Sequence, residues 1–386
     1  MRWTLLAWAI ALPVLLPVVT VLLGWQDLSP ESWRHLRDYL LPELLSNTLW
    51  LVVGVAVVTT LLGTSLGWIT GVCEFPGRKH FRWALLLPMA MPAYVLAFVF
   101  IGFFDYSGPL QTAWRELTGS TTAWPSIRSR GGVIAVLSLA LYPYVYLVAR
   151  QAFISQGARA IEVAQSLGMS RRRAFWRVSL PLALPWVMGG VLLVLLETLA
   201  DFGAVATFNY NTFTTAIYKS WFDLREPATA MQLASLLLGF ALLLMLLEQL
   251  SRRRGRYSLE QSARYRIQLK GGRAWLATAW CLLVLLFGFI GPLLQLLWWV
   301  FSDALVDLDS RYWGFALRSA GLALAASLLI GSLAVLMAYA VRLASQSGTA
   351  CSARAMVFTI RLCNAGHYVG GWHCCAISEF ESAVAG

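Results

Sequence analysis

Charge is scarce in this chain: Asp, Glu, Lys and Arg make up 13% of its 386 residues, where a soluble domain carries about a quarter. Acids are scarcer than bases, 19 against 30, and histidine occurs four times. No Gly-rich phosphate loop with a following Lys-Ser or Lys-Thr occurs, so the sequence offers no ATP-binding motif of that kind. Cysteine is sparse too, and four of the six (Cys351, Cys363, Cys374, Cys375) fall in the last stretch. What fills the chain is apolar: 59% hydrophobic residues and a mean hydropathy of +0.66. Such a composition suits a chain solvated by lipid, where helices satisfy their own backbone polarity. The expected fold class is therefore all-α and polytopic. The net charge of +11 is the Lys/Arg excess that membrane proteins keep in their cytoplasmic loops, so no nucleic-acid partner is expected. The 18 Trp and 13 Tyr fit belts at the two membrane surfaces, with lipid as the partner.

A spanning helix needs about 20 apolar residues. Eight runs qualify: 4–24, 47–72, 83–104, 132–149, 180–200, 228–248, 274–300 and 317–341. The first is too long for a removable leader and lacks a small-residue cleavage site, so it reads as a retained span. With the N-terminus in the cytoplasm, 19 Lys/Arg fall on the cytoplasmic side, 9 outside and two beyond residue 343. That bias predicts an N-in, multi-pass protein. Residues 251–273 are polar and basic and read as a cytoplasmic linker. They divide a first half (1–250, six spans) from the start of a second (274–342, two spans). Two weak internal matches support a repeat: the run from Pro17 resembles that from Pro292, and Thr60–Leu66 resembles Leu328–Leu333.

Residues 343–386 change character. His373, Cys374 and Cys375 with Cys363 and His367 invite a metal reading, but the spacing matches no closed zinc pattern, and no metal site is assigned. Codons compatible with Arg361–Ala376, read one nucleotide later, allow a Gly-Tyr-Ala-Met-Pro-Gly peptide. The third run opens on the similar Met89-Ala-Met-Pro-Ala-Tyr. The tail is therefore expected to be an out-of-frame translation of a second half, or disordered. Resequencing the gene tests this, and an intact frame through codon 386 would refute it.

Between the fourth and fifth runs lies a segment too amphipathic for a passive loop, Glu162 to Pro181 within 158–181. Ile161, Ala164 and Leu167 recur at helical spacing, giving an apolar face. Gly168 follows where a helix end favours the left-handed conformation. Ser170 can cap a second turn carrying Arg171–Arg173, and Pro181 suits the first turn of the next span. Two short helices joined by a glycine elbow suit docking into a groove of another protein.

The segment resembles the signature loop of ABC-importer permeases, E-A-A-x3-G-x9-I-x-L-P. Glu162, Ala164, Gly168, Leu180 and Pro181 match at full spacing, with Val178 for isoleucine and Val163 for the usual second alanine. The run from Glu197 to Trp221 resembles that of bacterial ferric-iron permeases, which fuse two six-span halves. The resemblance covers Met1 to about Val341. It implies a type I importer fold with one complete half and part of another, in a bacterial inner membrane. It implies a ferric-iron channel subunit that is not an enzyme and binds no cofactor of its own. A periplasmic iron-binding protein would deliver the metal, and a cytoplasmic ABC ATPase dimer would use ATP and dock on Glu162, Ala164, Gly168, Val178, Leu180 and Pro181. The alternatives are a thiamine or phosphonate importer permease, a secondary transporter without an ATPase, or an inactive truncated fragment.

The residues make their own argument about substrate. Glu197 and Asp201 stand four apart near the outer end of the fifth run. Carboxylates in a membrane helix are costly and are functional candidates, and they suit a hard cation. A packing or interfacial role at that depth is the alternative. Tyr142, Tyr144 and Tyr146 around Pro143 could line the same path, or sit at the interface while Pro143 kinks the helix.

Overall fold

The computed structural model describes residues 16–26, 34, 36–119, 126–252, 266–302 and 310–346. Contacts divide the chain into a unit of residues 28–297 and a second of residues 1–27 with 298–386. Among the described residues, seven helices are long and apolar enough to cross a membrane. The run at 4–24 falls mostly, and the tail beyond residue 346 wholly, outside them.

The larger unit is organised on three long helices. The first, α1 (Leu41–Val72), carries a proline in its first turn, where the missing N–H costs nothing, and ends where Cys73 turns extended. A short β1 (Cys73–Glu74) and a basic α2 (Arg78–Ala84) lead into α3 (Ala93–Phe104) and α4 (Pro109–Thr118). The second long helix, α5 (Arg130–Ala152), starts on Ser129, whose side chain accepts the Gly132 N–H, and runs through Pro143 without ending. After two short helices, α6 (Ala158–Ser166) and α7 (Arg171–Ala174), comes the third, α8 (Leu180–Ala200). Then follow α9 (Gly203–Thr207), α10 (Phe213–Tyr218) and α11 (Pro227–Arg252).

Glycine decides how closely α1 and α5 approach. Gly63, Gly67 and Gly71 recur every fourth residue and form one stripe. A Cβ on Gly63 would lie 2.6 Å from the Val145 Cβ, and one on Gly67 2.9 Å from the Arg150 backbone nitrogen. Small residues at this spacing let helix backbones pack where lipid provides no hydrophobic drive between helices. The core lies along this seam, with Leu51, Val55 and Leu66 against Val136, Leu137 and Val145, and α8 adding Val187, Val191 and Val194.

The linker is more structured at its end than its composition predicts. A second strand, β2 (Ile267–Gln268), pairs in parallel with β1 in the register Cys73 with Ile267, and the Leu269 N–H donates to the Glu74 carbonyl at 3.1 Å. Helix α12 (Gly272–Leu285) follows and puts Ala274, Ala277, Cys281 and Val284 into the same core. The Trp280 indole N–H reaches the Ser65 hydroxyl at 3.2 Å. The run at 274–300, read from sequence as the start of a second half, thus packs its first helix into the first bundle. A π-helical turn (Leu286–Ile290) joins it to α13 (Gly291–Ser302).

In the other unit, residues 16–23 are helical and α14 (Ser310–Gln346) is one unbroken helix. It starts before the apolar run at 317–341 and continues past residue 343, the expected start of the tail. Leu317, Leu322, Leu324 and Leu328 on it are exposed, as befits a helix whose surroundings are lipid.

Candidate functional site

The loop between α5 and α8 is built over an aromatic floor. Trp68 of α1 meets Phe153 edge-on at 5.2 Å and Phe175 at 4.5 Å between ring centres. On this floor Ile161, Ala164 and Ala174 are buried, with Met169 and Val178 packed against them. Helix α6 then ends in a Schellman turn: Met169 N–H bonds the Ala164 carbonyl and Gly168 N–H that of Gln165, both at 2.9 Å. Gly168 takes φ +83°, and a side chain there would meet nothing within 4 Å. The glycine is demanded by the backbone, not by space.

Two expectations change. Ser170 does stand at the N-cap of α7 with extended backbone, but its side chain makes no cap bond. The residue is exposed, so water can serve the same N–H groups. Leu167 does not share the buried face of Ile161 and Ala164. Its N–H still bonds the Val163 carbonyl at 3.2 Å, but six residues on from Ile161 the helix has turned about 120° away from that residue, and Leu167 points outward with 79% of its surface exposed. Of the motif residues, Glu162 and Pro181 are exposed, Ala164 is buried, and Val178 and Leu180 are half-buried.

The outer surface carries residues the motif does not mark. Val163, Leu167 and Trp176 are exposed among Arg171, Arg172, Arg173 and Arg177. Exposed apolar side chains in a basic segment mark a surface for association. The one sequence signal for Trp176 was a large aromatic within a polar, basic stretch.

At the other end of α8, Glu197 and Asp201 are half-buried and interact with each other. The Tyr144 hydroxyl faces and interacts with the Glu197 carboxylate across the α5–α8 packing. Asp201 also acts on the backbone. One of its oxygens accepts the N–H groups of Ala204 and Val205, both at 3.1 Å, and so starts α9. Burial pushes its carboxyl above the usual aspartate range, opposed by those two N–H bonds. Thr214 donates to the Asp201 carbonyl at 2.7 Å and also lines an open cleft of about 380 Å³ with Phe202, Ile217, Tyr218, Trp221 and Phe222. The segment is tied to α1 by the Asn47 side-chain amide, which donates to the Asn211 carbonyl at 3.1 Å.

The three tyrosines separate. Tyr142 and Tyr146 are fully buried, and their hydroxyls donate to the carbonyls of Leu85 at 2.9 Å and Arg82 at 3.2 Å. Only Tyr144, of the three, reaches the acidic pair. Among the described residues, no three His, Cys, Asp or Glu side chains come together as a metal-holding group.

The family model of the binding-protein-dependent transport system inner membrane component matches residues 63–257. A Fe(3+)-transport system permease protein, FbpB 2 of Haemophilus influenzae, is 31% identical over 244 residues, which is 63% of this chain and 44% of that protein. The chain thus spans less than half the length of that relative. The molybdenum transport system permease protein ModB of Escherichia coli is 29% identical over 161 residues, 42% of this chain and 69% of ModB. Among solved structures, a bacterial ABC transporter that imports the acidic polysaccharide alginate aligns with a TM-score of 0.53 at 16% identity. That alignment covers 64% of this chain and 96% of the matched chain.

Proposed function

The chain belongs to the binding-protein-dependent transport system inner membrane components, and from that premise we propose that it is the channel subunit of a ferric-iron importer. It is a multi-pass, all-α permease of the ABC-importer kind. In the proposed arrangement a periplasmic protein delivers the metal to the Glu197 end. The basic loop end faces the cytoplasm, as the Lys/Arg distribution predicts. There Val163, Leu167 and Trp176 enter a groove of a separate ATPase subunit, which carries out ATP hydrolysis.

The observation that carries the substrate reading is the oxygen set of Glu197, Asp201 and Tyr144. Two carboxylates one helical turn apart, with a phenol against one of them, offer hard anionic donors to a hard cation. They would repel an oxyanion such as molybdate. The iron permease among the relatives supports the same choice.

The test is uptake of radioactive ferric iron by cells expressing the chain with its neighbouring ATPase and binding protein. Iron uptake that persists in excess molybdate and sulfate is expected. Oxyanion uptake competing with iron would overturn the substrate, and uptake without the ATPase would overturn the importer reading.

A further inference from the structure

Four arginines from three parts of the chain gather at the loop end of the large unit. Arg78 opens α2 and Arg82 follows one turn later. Arg150 closes α5, and Arg266 precedes β2. The Arg78 side chain is 8% exposed, donating from Nε to the Thr70 carbonyl at 2.9 Å and from Nη1 to the Glu74 carboxylate at 3.2 Å. Arg266 donates to the same Glu74 oxygen at 3.2 Å. Arg150 feels the charges of Arg82, Arg78 and Arg266, and Arg78 those of Arg266 and Arg82. Arg150 thus lies within electrostatic reach of three other guanidinium groups, and Glu74 pairs with two of them, Arg78 and Arg266.

Arg150 is the unfinished member. Its stem runs along α1, with Cγ 3.7 Å from where a Gly71 Cβ would stand. Its Nε is buried and has no hydrogen-bond partner among the described residues. A donor left without an acceptor on a half-buried guanidinium, beside three like charges, is costly unless an anion supplies the acceptor. Burial, and next the charge of Arg266, push the Arg78 guanidinium below its ordinary range, as expected where positive charge is under-compensated.

The surroundings indicate which anion. Arg82 lies over the Trp83 ring, 5.3 Å from its centre, and Trp83 is 65% exposed. An exposed tryptophan and stacked arginine at the end of apolar spans mark headgroup depth. Planar guanidinium forks match phosphate oxygens two at a time. We propose that Arg78, Arg82, Arg150 and Arg266 form a site for a phosphate group, supplied by the headgroup of an anionic phospholipid. Bound there, the phosphate bridges α5 and α2 to the end of the linker and holds β2 on β1. The site stands whichever substrate the importer carries.

The experiment uses the full chain in neutral detergent, with thermal unfolding followed by tryptophan fluorescence. Phosphatidylglycerol is expected to raise the midpoint by about 3 °C or more, and phosphatidylcholine to leave it unchanged. Arg82→Gln with Arg266→Gln, both at exposed positions, should remove at least half of the shift, and Arg150→Gln most of it. If millimolar inorganic phosphate gives the same variant-sensitive shift, the phosphate site stands and its source is the solution. No shift with either, or a shift that the exposed double variant keeps in full, overturns the proposal.

Discussion

Tyr142 and Leu85 are joined by a hydrogen bond of 2.9 Å from the tyrosine hydroxyl to the leucine carbonyl, and both residues are fully buried. The carbonyl belongs to the turn after α2, where no helical partner is available to it. One side chain of α5 thereby fixes how the chain returns from α2 into α3. Tyr142→Phe should leave that carbonyl unpaired and cost about 1 kcal/mol of stability. Uptake per folded molecule should not change, and a raised KM for iron in Tyr142→Phe would place this hydroxyl on the path instead.

The two carboxylates of the acidic pair differ in what they hold. Asp201→Asn keeps an acceptor for the Ala204 and Val205 N–H groups, whereas Asp201→Ala loses the cap and about 1 kcal/mol. Glu197→Gln makes no such demand on the backbone. Glu197→Gln with Asp201→Asn should cut iron uptake about tenfold or more with membrane levels unchanged. Equal uptake at equal protein would remove both carboxylates from the pathway.

Gly168 sits at φ +83° in open space, so a substitution acts through the backbone alone. Gly168→Val should cost the elbow roughly 1–2 kcal/mol, and re-aim Leu167 and Arg171. Leu167→Ala with Trp176→Ala leaves the elbow intact and removes only exposed side chains, so stability should move by under about 0.5 kcal/mol. Both variants should lose co-purification with the ATPase. Retained association in the second would show that these apolar side chains are not the contact.

Cys73 reports on the β1–β2 pair. Burial, partly offset by Arg78, pushes its thiol up to about 11, so its thiolate fraction at neutral pH is roughly two orders of magnitude below that of a free cysteine. Peptide mapping after alkylation at pH 7.5 should find Cys73 unmodified in the folded protein. Labelling should rise as pH approaches 11, because the thiolate is the reacting form. Leu269→Pro removes the donor to the Glu74 carbonyl and should expose Cys73 to alkylation at neutral pH. Rapid labelling of the unaltered protein would contradict the packing at this bridge.

Much of the architecture was legible because it is local. Apolar runs of spanning length reveal most of the helices, although the run at 83–104 breaks between Leu85 and Pro92 and its long helix starts only at Ala93. The Glu162–Pro181 spacing carried the elbow, since a left-handed helix end selects glycine whatever packs nearby. The position of Asp201 four residues beyond Glu197 was also plain, because a helix turn is a fixed distance along the chain.

What tertiary structure decided is what depends on partners distant in sequence. Tyr142, Tyr144 and Tyr146 look alike in sequence, and only the carbonyls of Leu85 and Arg82 and the carboxylate of Glu197 assign them different roles. Leu167 belonged to the apolar face by periodicity, yet packing buries only Ile161 and Ala164 of that face and leaves Leu167 outside. The return of Ile267–Gln268 to Cys73–Glu74 crosses most of the large unit. With it comes the gathering of Arg78, Arg82, Arg150 and Arg266, which no local pattern encodes. Composition and periodicity set which residues avoid water; contacts between helices set which polar groups meet.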